Sequence, residues 1–192
     1  MKKIGIYLFD EVEVLDFAGP YEVFSVAYKD RFEDKLFDVT TISETGDMIS
    51  ARNGLQVMPD TSLDQAPNTD VVIIPGGQGA REKEAYNEKL IKWLRACQDS
   101  AEVIASVCTG ALVLANAGLL DGKRATTHWG SYDRLAAFSS VDVQHNVKFV
   151  DEGSIVTSGG ISAGINMAFH LMEKFEGKEA VTQTARWMEY DL

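Results

Sequence analysis

The feature that most restricts the fold of this chain is a repeated alternation. Short, almost wholly apolar runs are each followed by a stretch with helical spacing. Lys3–Phe9 (KIGIYLF), Phe37–Ser43, Asp70–Pro75 (DVVIIP) and Val103–Val107 read as strands. Between and after them, Pro20–Tyr28, Asn87–Cys97, Thr109–Ala117, Ser162–Phe175 and Lys178–Tyr190 carry apolar residues at helical intervals. A strand that is apolar on both sides must be covered on both sides. The pattern therefore predicts an α/β fold of flavodoxin-like type, a three-layer sandwich with a mainly parallel central sheet.

Smaller elements complete the pattern. Asn53-Gly54 at the centre of Met48–Pro59 predicts a hairpin. Arg124–His128 reads as a further strand. Val143–Val150 and Ser154–Thr157 read as a hairpin turning at Asp151-Glu152-Gly153. Ser162 is the expected N-cap of the following helix, and Gly177 the expected break between the last two helices.

The 192 residues suit one domain spanning the whole chain, 1–192. No apolar run approaches the roughly 18 residues of a membrane span. The start, Met-Lys-Lys-Ile-Gly-Ile, lacks the long apolar stretch of a signal peptide, so the expected compartment is cytoplasmic. A net charge of −11 repels phosphate backbones and anionic lipid, which argues against nucleic acid and membranes as partners. The two cysteines, Cys97 and Cys108, form at most one bridge, and a reducing cytoplasm disfavours even that. No cysteine–histidine spacing matches a metal site, so none is expected.

In an open parallel sheet, ligands bind beyond the carboxyl ends of the strands. That rule selects Gly76-Gly77, Cys108 and His128, each of which closes a predicted strand. In Val103–Leu114 (VIASVCTGALVL) an apolar strand runs into Cys108 and a helix begins at once with Thr109-Gly110. This is the layout of a nucleophile elbow, a sharp turn that lifts a nucleophile above the sheet. Gly110 leaves room for helix and strand to pack closely. The helix N-terminus favours an anion, so the Cys108 thiol is expected below its free value of ~8.5; the alternative is a small buried core cysteine. Cys97, on the stripe of an amphipathic helix, has nothing to lower its pKa.

Pro75-Gly76-Gly77-Gln78-Gly79 follows a strand but matches no complete phosphate-loop motif. The favoured reading pairs a Gly76 or Gly77 N–H with that of Thr109 as an anion hole beside Cys108; the alternative is a plain glycine turn. Asp16, in Val14-Leu15-Asp16-Phe17-Ala18-Gly19-Pro20, is an acid among apolar neighbours. Partial burial would raise its pKa and suit it to proton exchange near neutrality, unless it only caps a helix before Pro20. Of the three histidines, His128 lies on the expected active edge, where it either contacts substrate or makes a structural hydrogen bond. His145 and His170 read as surface residues.

At this point the chain resembles the ThiJ/PfpI superfamily, which has the class I glutamine amidotransferase-like fold. The matching segments are Phe9–Pro20, Ile74–Gly79, Ser106–Leu114, Ala117–Trp129 and Ser158–Gly164, in one order along nearly the whole chain. Within it the chain is most similar to the isocyanide hydratases. That resemblance implies that Cys108 attacks the isocyanide carbon to form a thioimidate. Asp16 would handle the protons and the attacking water, Thr109 would contribute to the anion site, and an N-substituted formamide would leave. It also implies a small-molecule substrate, a homodimer and no cofactor. Protease-like and amidotransferase members carry a histidine after the nucleophile or a histidine–glutamate pair after a late strand. Here Thr109 and Gly159-Gly160-Ile161-Ser162 fill those positions, which argues against both chemistries. The same segments occur in regulator sensor domains that continue into a helix-turn-helix. Ending at Leu192, this chain is expected to stand without one. Two alternatives stay open: a glyoxalase-like enzyme acting on a reactive aldehyde, and a non-catalytic redox or ligand sensor.

Overall fold

In the computed structural model, which describes residues 1–29 and 34–192, the strands of the main sheet are β1 (Lys2–Tyr7), β2 (Phe37–Ser43), β5 (Thr61–Ser62), β6 (Val71–Ile74), β7 (Val103–Ser106), β10 (Phe149–Asp151) and β11 (Ile155–Ser158). The remaining strands form two small sheets: β3 (Ile49–Ser50) with β4 (Gln56–Val57), and β8 (Arg124–Ala125) with β9 (Asp142–Val143). The main sheet runs β10-β11-β7-β6-β1-β2-β5, and every pairing is parallel except β10 against β11. Its core, β2-β1-β6-β7-β11, has the flavodoxin-like order. The chain leaves β1 on one side and returns as β6 on the other, so β1 and β6 flank the switch point. All residues of β6 and β7 are buried, which is why β6 is continuously apolar and β7 is apolar up to Ser106.

The helices are α1 (Val14–Ser25), α2 (Gln78–Glu82), α3 (Glu88–Cys97), α4 (Gly110–Asn116), α5 (Tyr132–Ala136) and α6 (Ala163–Trp187). Helix α1 packs on α6, while α4 packs on α2 and α3, and the two groups cover the sheet. Asn87 caps α3, its side chain accepting from the Lys89 and Leu90 N–H groups. The Asn53 turn between β3 and β4 forms as expected. The β10–β11 hairpin also forms, but its first strand is Phe149–Asp151 rather than Val143–Val150, because Val143 pairs with Ala125 in the β8–β9 sheet. Gly177, at φ 83°, kinks α6 where the break was expected. Ser162 precedes α6 but makes no side-chain cap.

Two further boundaries differ from the sequence reading, and both bear on the site. Helix α1 begins at Val14, well before Pro20. Proline favours a first turn, which suggested a later start. Here Pro20 lies inside the helix and forgoes the bond to the Asp16 carbonyl. The buried set Asp16, Phe17, Pro20, Val23 and Phe24 forms one helical stripe, so the extra turn is stabilised by packing. Second, the strand expected over Arg124–His128 stops at Ala125 and lies outside the main sheet. Strand β10 occupies the free edge of β11. The following residues dock through hydroxyls instead: the Thr126 N–H donates to Thr157 Oγ1 at 2.9 Å, and Thr126 Oγ1 donates to the Gln144 carbonyl at 2.8 Å.

Candidate active site

Strand β7 delivers the chain to Cys108, whose φ of 55° lies in the left-handed region. For a residue with a Cβ this costs about 1–2 kcal/mol and persists only where the surroundings hold it. They do so at both ends. The Cys108 N–H donates to the Gly159 carbonyl at 3.0 Å, and the Cys108 carbonyl accepts from Thr127 Oγ1 at 2.7 Å. Helix α4 then starts at Gly110, where any Cβ would collide with the Ile74 carbonyl oxygen, so close packing on β6 requires glycine. The elbow read from the sequence is present.

The end of β1 feeds α1, whose first turn carries Asp16 to the same place. Asp16 is fully buried. Its Oδ2 accepts from the Gly76 N–H at 2.9 Å, while Oδ1 has no partner at ordinary hydrogen-bond geometry. The Cys108 thiol and the Ile161 N–H lie near enough to favour the ionised carboxyl group. Burial, reinforced by the charge of Glu13, pushes Asp16 up to about 7 against those groups.

Cys108 is only 6% exposed. Burial first, and then the neighbouring Asp16 charge, push its thiol up to about 12, although the Thr109 N–H and hydroxyl oppose this. The expectation of a thiol held below its free value is therefore corrected. A helix terminus contributes ~0.3–1 kcal/mol, whereas burial can shift a group by several pH units. The site contains a neutral thiol beside an acid balanced near neutrality. Cys97 is half-buried, and burial alone pushes it up to about 11, in line with a packing role.

The glycine loop is engaged differently from the expected anion hole. The Gly76 N–H serves Asp16. The Gly77 N–H donates to Thr109 Oγ1 at 2.9 Å, and that hydroxyl donates back to the Gly77 carbonyl at 3.1 Å. Neither glycine N–H is paired with that of Thr109 around the sulfur. The loop instead orients the acid and the threonine. Gly76 cannot carry a side chain, because a Cβ there would lie 2.7 Å from Thr109 Oγ1 and 2.8 Å from Asp16 Oδ2.

His128 borders the site without joining the dyad. Its ring lies against Gly160, where a Cβ would strike it, and its Nδ1 accepts from the Gly130 N–H at 3.1 Å. Trp129 beside it is 75% exposed. Sequence reasoning brought together Asp16, Gly76, Gly77, Cys108 and Thr109. It passed over Thr127, Gly159 and Ile161, the last at φ 55°, an unusual value for a β-branched residue. Nothing in their local sequence signals that they would meet the elbow; the late Gly159-Gly160-Ile161 run was the one available hint.

Residues 2–174 match the DJ-1/PfpI family. The chain is 36% identical over 190 residues to the isonitrile hydratase of Pseudomonas putida, covering 98% of this chain and 78% of that protein. It is 29% identical over 191 residues to the HTH-type transcriptional regulator GbdR of Pseudomonas aeruginosa, where it spans 99% of itself but 51% of the regulator. Among solved structures, Drosophila melanogaster DJ-1beta superposes with a TM-score of 0.88 at 25% identity, covering 100% of this chain and 99% of that one. A THiJ/PfpI family protein from Pseudomonas syringae superposes at 0.89 with 24% identity, covering 100% and 76%. With residues 2–174 matched by the family and 36% identity to a relative across nearly the whole chain, this chain belongs to the DJ-1/PfpI family.

Proposed function

We propose that this chain is an isocyanide hydratase-like lyase, with Cys108 as nucleophile and Asp16 as the proton carrier. The observation that carries the reading is the buried pairing of the Cys108 thiol with a carboxyl group poised at about 7. The relative named isonitrile hydratase supports the substrate class, since isonitrile and isocyanide name the same group.

A neutral thiol becomes a nucleophile when a base removes its proton as it attacks. Ionised Asp16 accepts the Cys108 proton while Sγ bonds to the terminal carbon of R–NC. Asp16 then returns that proton to the carbon, which gives the thioimidate R–N=CH–Sγ. Water adds to this carbon, and Asp16 accepts its proton and passes it to the nitrogen, which gives R–NH–CH(OH)–Sγ. Collapse of the adduct breaks the C–Sγ bond, the hydroxyl proton passes through Asp16 to the sulfur to restore the thiol, and R–NH–CHO is released. The sum is one water added to one isocyanide. It is redox-neutral, and no step calls for a cofactor or metal. An acid balanced near neutrality suits both halves, because it must accept and donate in turn. The Thr109 N–H stabilises negative charge on sulfur, while its hydroxyl is held by Gly77. Gly76 and Gly77 hold Asp16 and Thr109 in register, and His128, tilted beside Trp129 and packed against Gly160, is the candidate substrate contact. The working unit in this reading is a cytoplasmic homodimer acting on a small molecule, with no role for nucleic acid or membrane.

The test is formamide production from a simple aryl isocyanide by the wild type and by Cys108→Ala. Turnover confined to the wild type is expected; equal product from both sinks the assignment. Lactate from methylglyoxal would point instead to aldehyde handling. The likeness to GbdR favours one other reading, a sensor. Peroxide-dependent mass gain at Cys108 with no turnover of either substrate would support it.

A further inference from the structure

Thr127 makes one contact that the chemistry above does not use. Its side chain is fully buried, and its hydroxyl donates to the Cys108 carbonyl at 2.7 Å. The other donor to that carbonyl, the Ala111 N–H, lies at 3.4 Å and is a weak partner. Thr127 is itself placed by its neighbour: Thr126 is pinned to Thr157 of β11 on one side and to Gln144 on the other.

The Cys108 carbonyl and the Thr109 N–H belong to one planar peptide group and point in opposite directions. Holding the oxygen therefore fixes the direction of the N–H. That N–H is the backbone group that favours a negative charge on the Cys108 sulfur. The φ of 55° at Cys108 gives this peptide a reason to rotate toward a relaxed conformation, and rotation would turn the N–H away from the sulfur. The Gly159 carbonyl restrains the preceding peptide through the Cys108 N–H, which leaves the Cys108–Thr109 peptide chiefly to Thr127.

We propose that Thr127 is a positioning residue for the nucleophile: its hydroxyl locks the Cys108–Thr109 peptide so that the Thr109 N–H faces the Cys108 sulfur. The inference rests on Cys108 being the reactive group and is independent of the substrate it attacks.

The experiment is iodoacetamide alkylation of the full chain at one fixed pH, resolved by peptide mass into Cys108 and Cys97. Thr127→Val removes the hydroxyl at similar volume. It should slow alkylation of Cys108 by about tenfold, the size of one lost buried hydrogen bond, with Cys97 unchanged. Thr127→Ser restores the hydroxyl and should return the rate to within about twofold of wild type, since the same hydrogen bond re-forms. A wild-type rate in Thr127→Val overturns the proposal. So does a Thr127→Ser as slow as Thr127→Val, which would mean that the methyl group matters and the hydroxyl does not. If Thr127→Val does not fold, Thr127→Ala is read in the same way. If neither folds, the residue serves the fold and the positioning role is wrong. Isocyanide turnover does not enter the measurement, so absence of hydratase activity leaves the result standing.

Discussion

The Asp16 carboxyl and the Cys108 thiol are buried side by side, close enough for each to shift the other's titration, one carried on the first turn of α1 and the other on the elbow after β7. Each is pushed up by burial, and the carboxylate charge lifts the thiol further. Two groups coupled in this way titrate as a unit. The proton they share is the one the proposed reaction moves.

A pH–rate profile should expose that unit. Attack requires Asp16 to be ionised, so kcat/KM should fall by about tenfold per pH unit on the acid side of an apparent pKa near 7. Asp16→Asn should abolish this limb and lower kcat/KM by about 10²–10⁴-fold, the usual contribution of a positioned base. Steady-state kinetics from pH 5 to 9 check both. A flat profile in the wild type would remove Asp16 from the chemistry.

The same carboxyl should make the fold weaker at alkaline pH. Its native value of about 7 lies above the ~3.9 of an unfolded aspartate, so the folded state holds more protons between these values. Its stabilising contribution is complete below ~4 and is lost as pH rises through 7, a change of up to ~4 kcal/mol. Asp16→Asn removes the liability. Urea melts should show the variant gaining on the wild type by about 2.7 kcal/mol between pH 5 and pH 8, roughly two pH units at about 1.36 kcal/mol each. An offset that does not change with pH would count against a buried, titrating Asp16.

Gly76→Ala tests the crowding at the switch point. The new methyl group would sit 2.7 Å from Thr109 Oγ1 and 2.8 Å from Asp16 Oδ2, between the two side chains that the loop orients. Overpacking of this kind destabilises by about 1–3 kcal/mol. Thermal melts and alkylation of Cys108 should both change. Unaltered values for both would show that the loop yields freely.

Asn87 performs two tasks at once. It caps α3 through Lys89 and Leu90, and its amide donates to Glu84 at 2.9 Å and to Glu44 at 2.8 Å. Glu84 is buried and also accepts from Tyr7 Oη at 3.1 Å; burial holds its carboxyl above the usual range. Asn87→Ala loses the cap, typically ~1 kcal/mol, and one donor to a buried carboxylate, a further ~1–3 kcal/mol. The prediction is a loss of about 2–4 kcal/mol in denaturant melts. A loss below ~0.5 kcal/mol would mean that neither task matters.

Local sequence determined the layers and the elbow. Uninterrupted apolar runs such as Val71–Ile74 can be stable only between two covering layers, and an apolar strand running into Cys-Thr-Gly leaves room for little except a tight turn into a helix. Those are short-range properties of composition and spacing, and so they are legible without coordinates. The charge state of Cys108 was not of this kind. It depends on how much water reaches the sulfur and on an acid brought from another helix, and both are set by the packing of α1 beside the switch point. The partners of Gly76 and Gly77, the start of α1 ahead of Pro20, and the meeting of Thr127 with the Cys108 carbonyl belong to the same class. Each joins groups distant in the chain, and a single sequence carries no record of which buried donor will find which acceptor once the layers close.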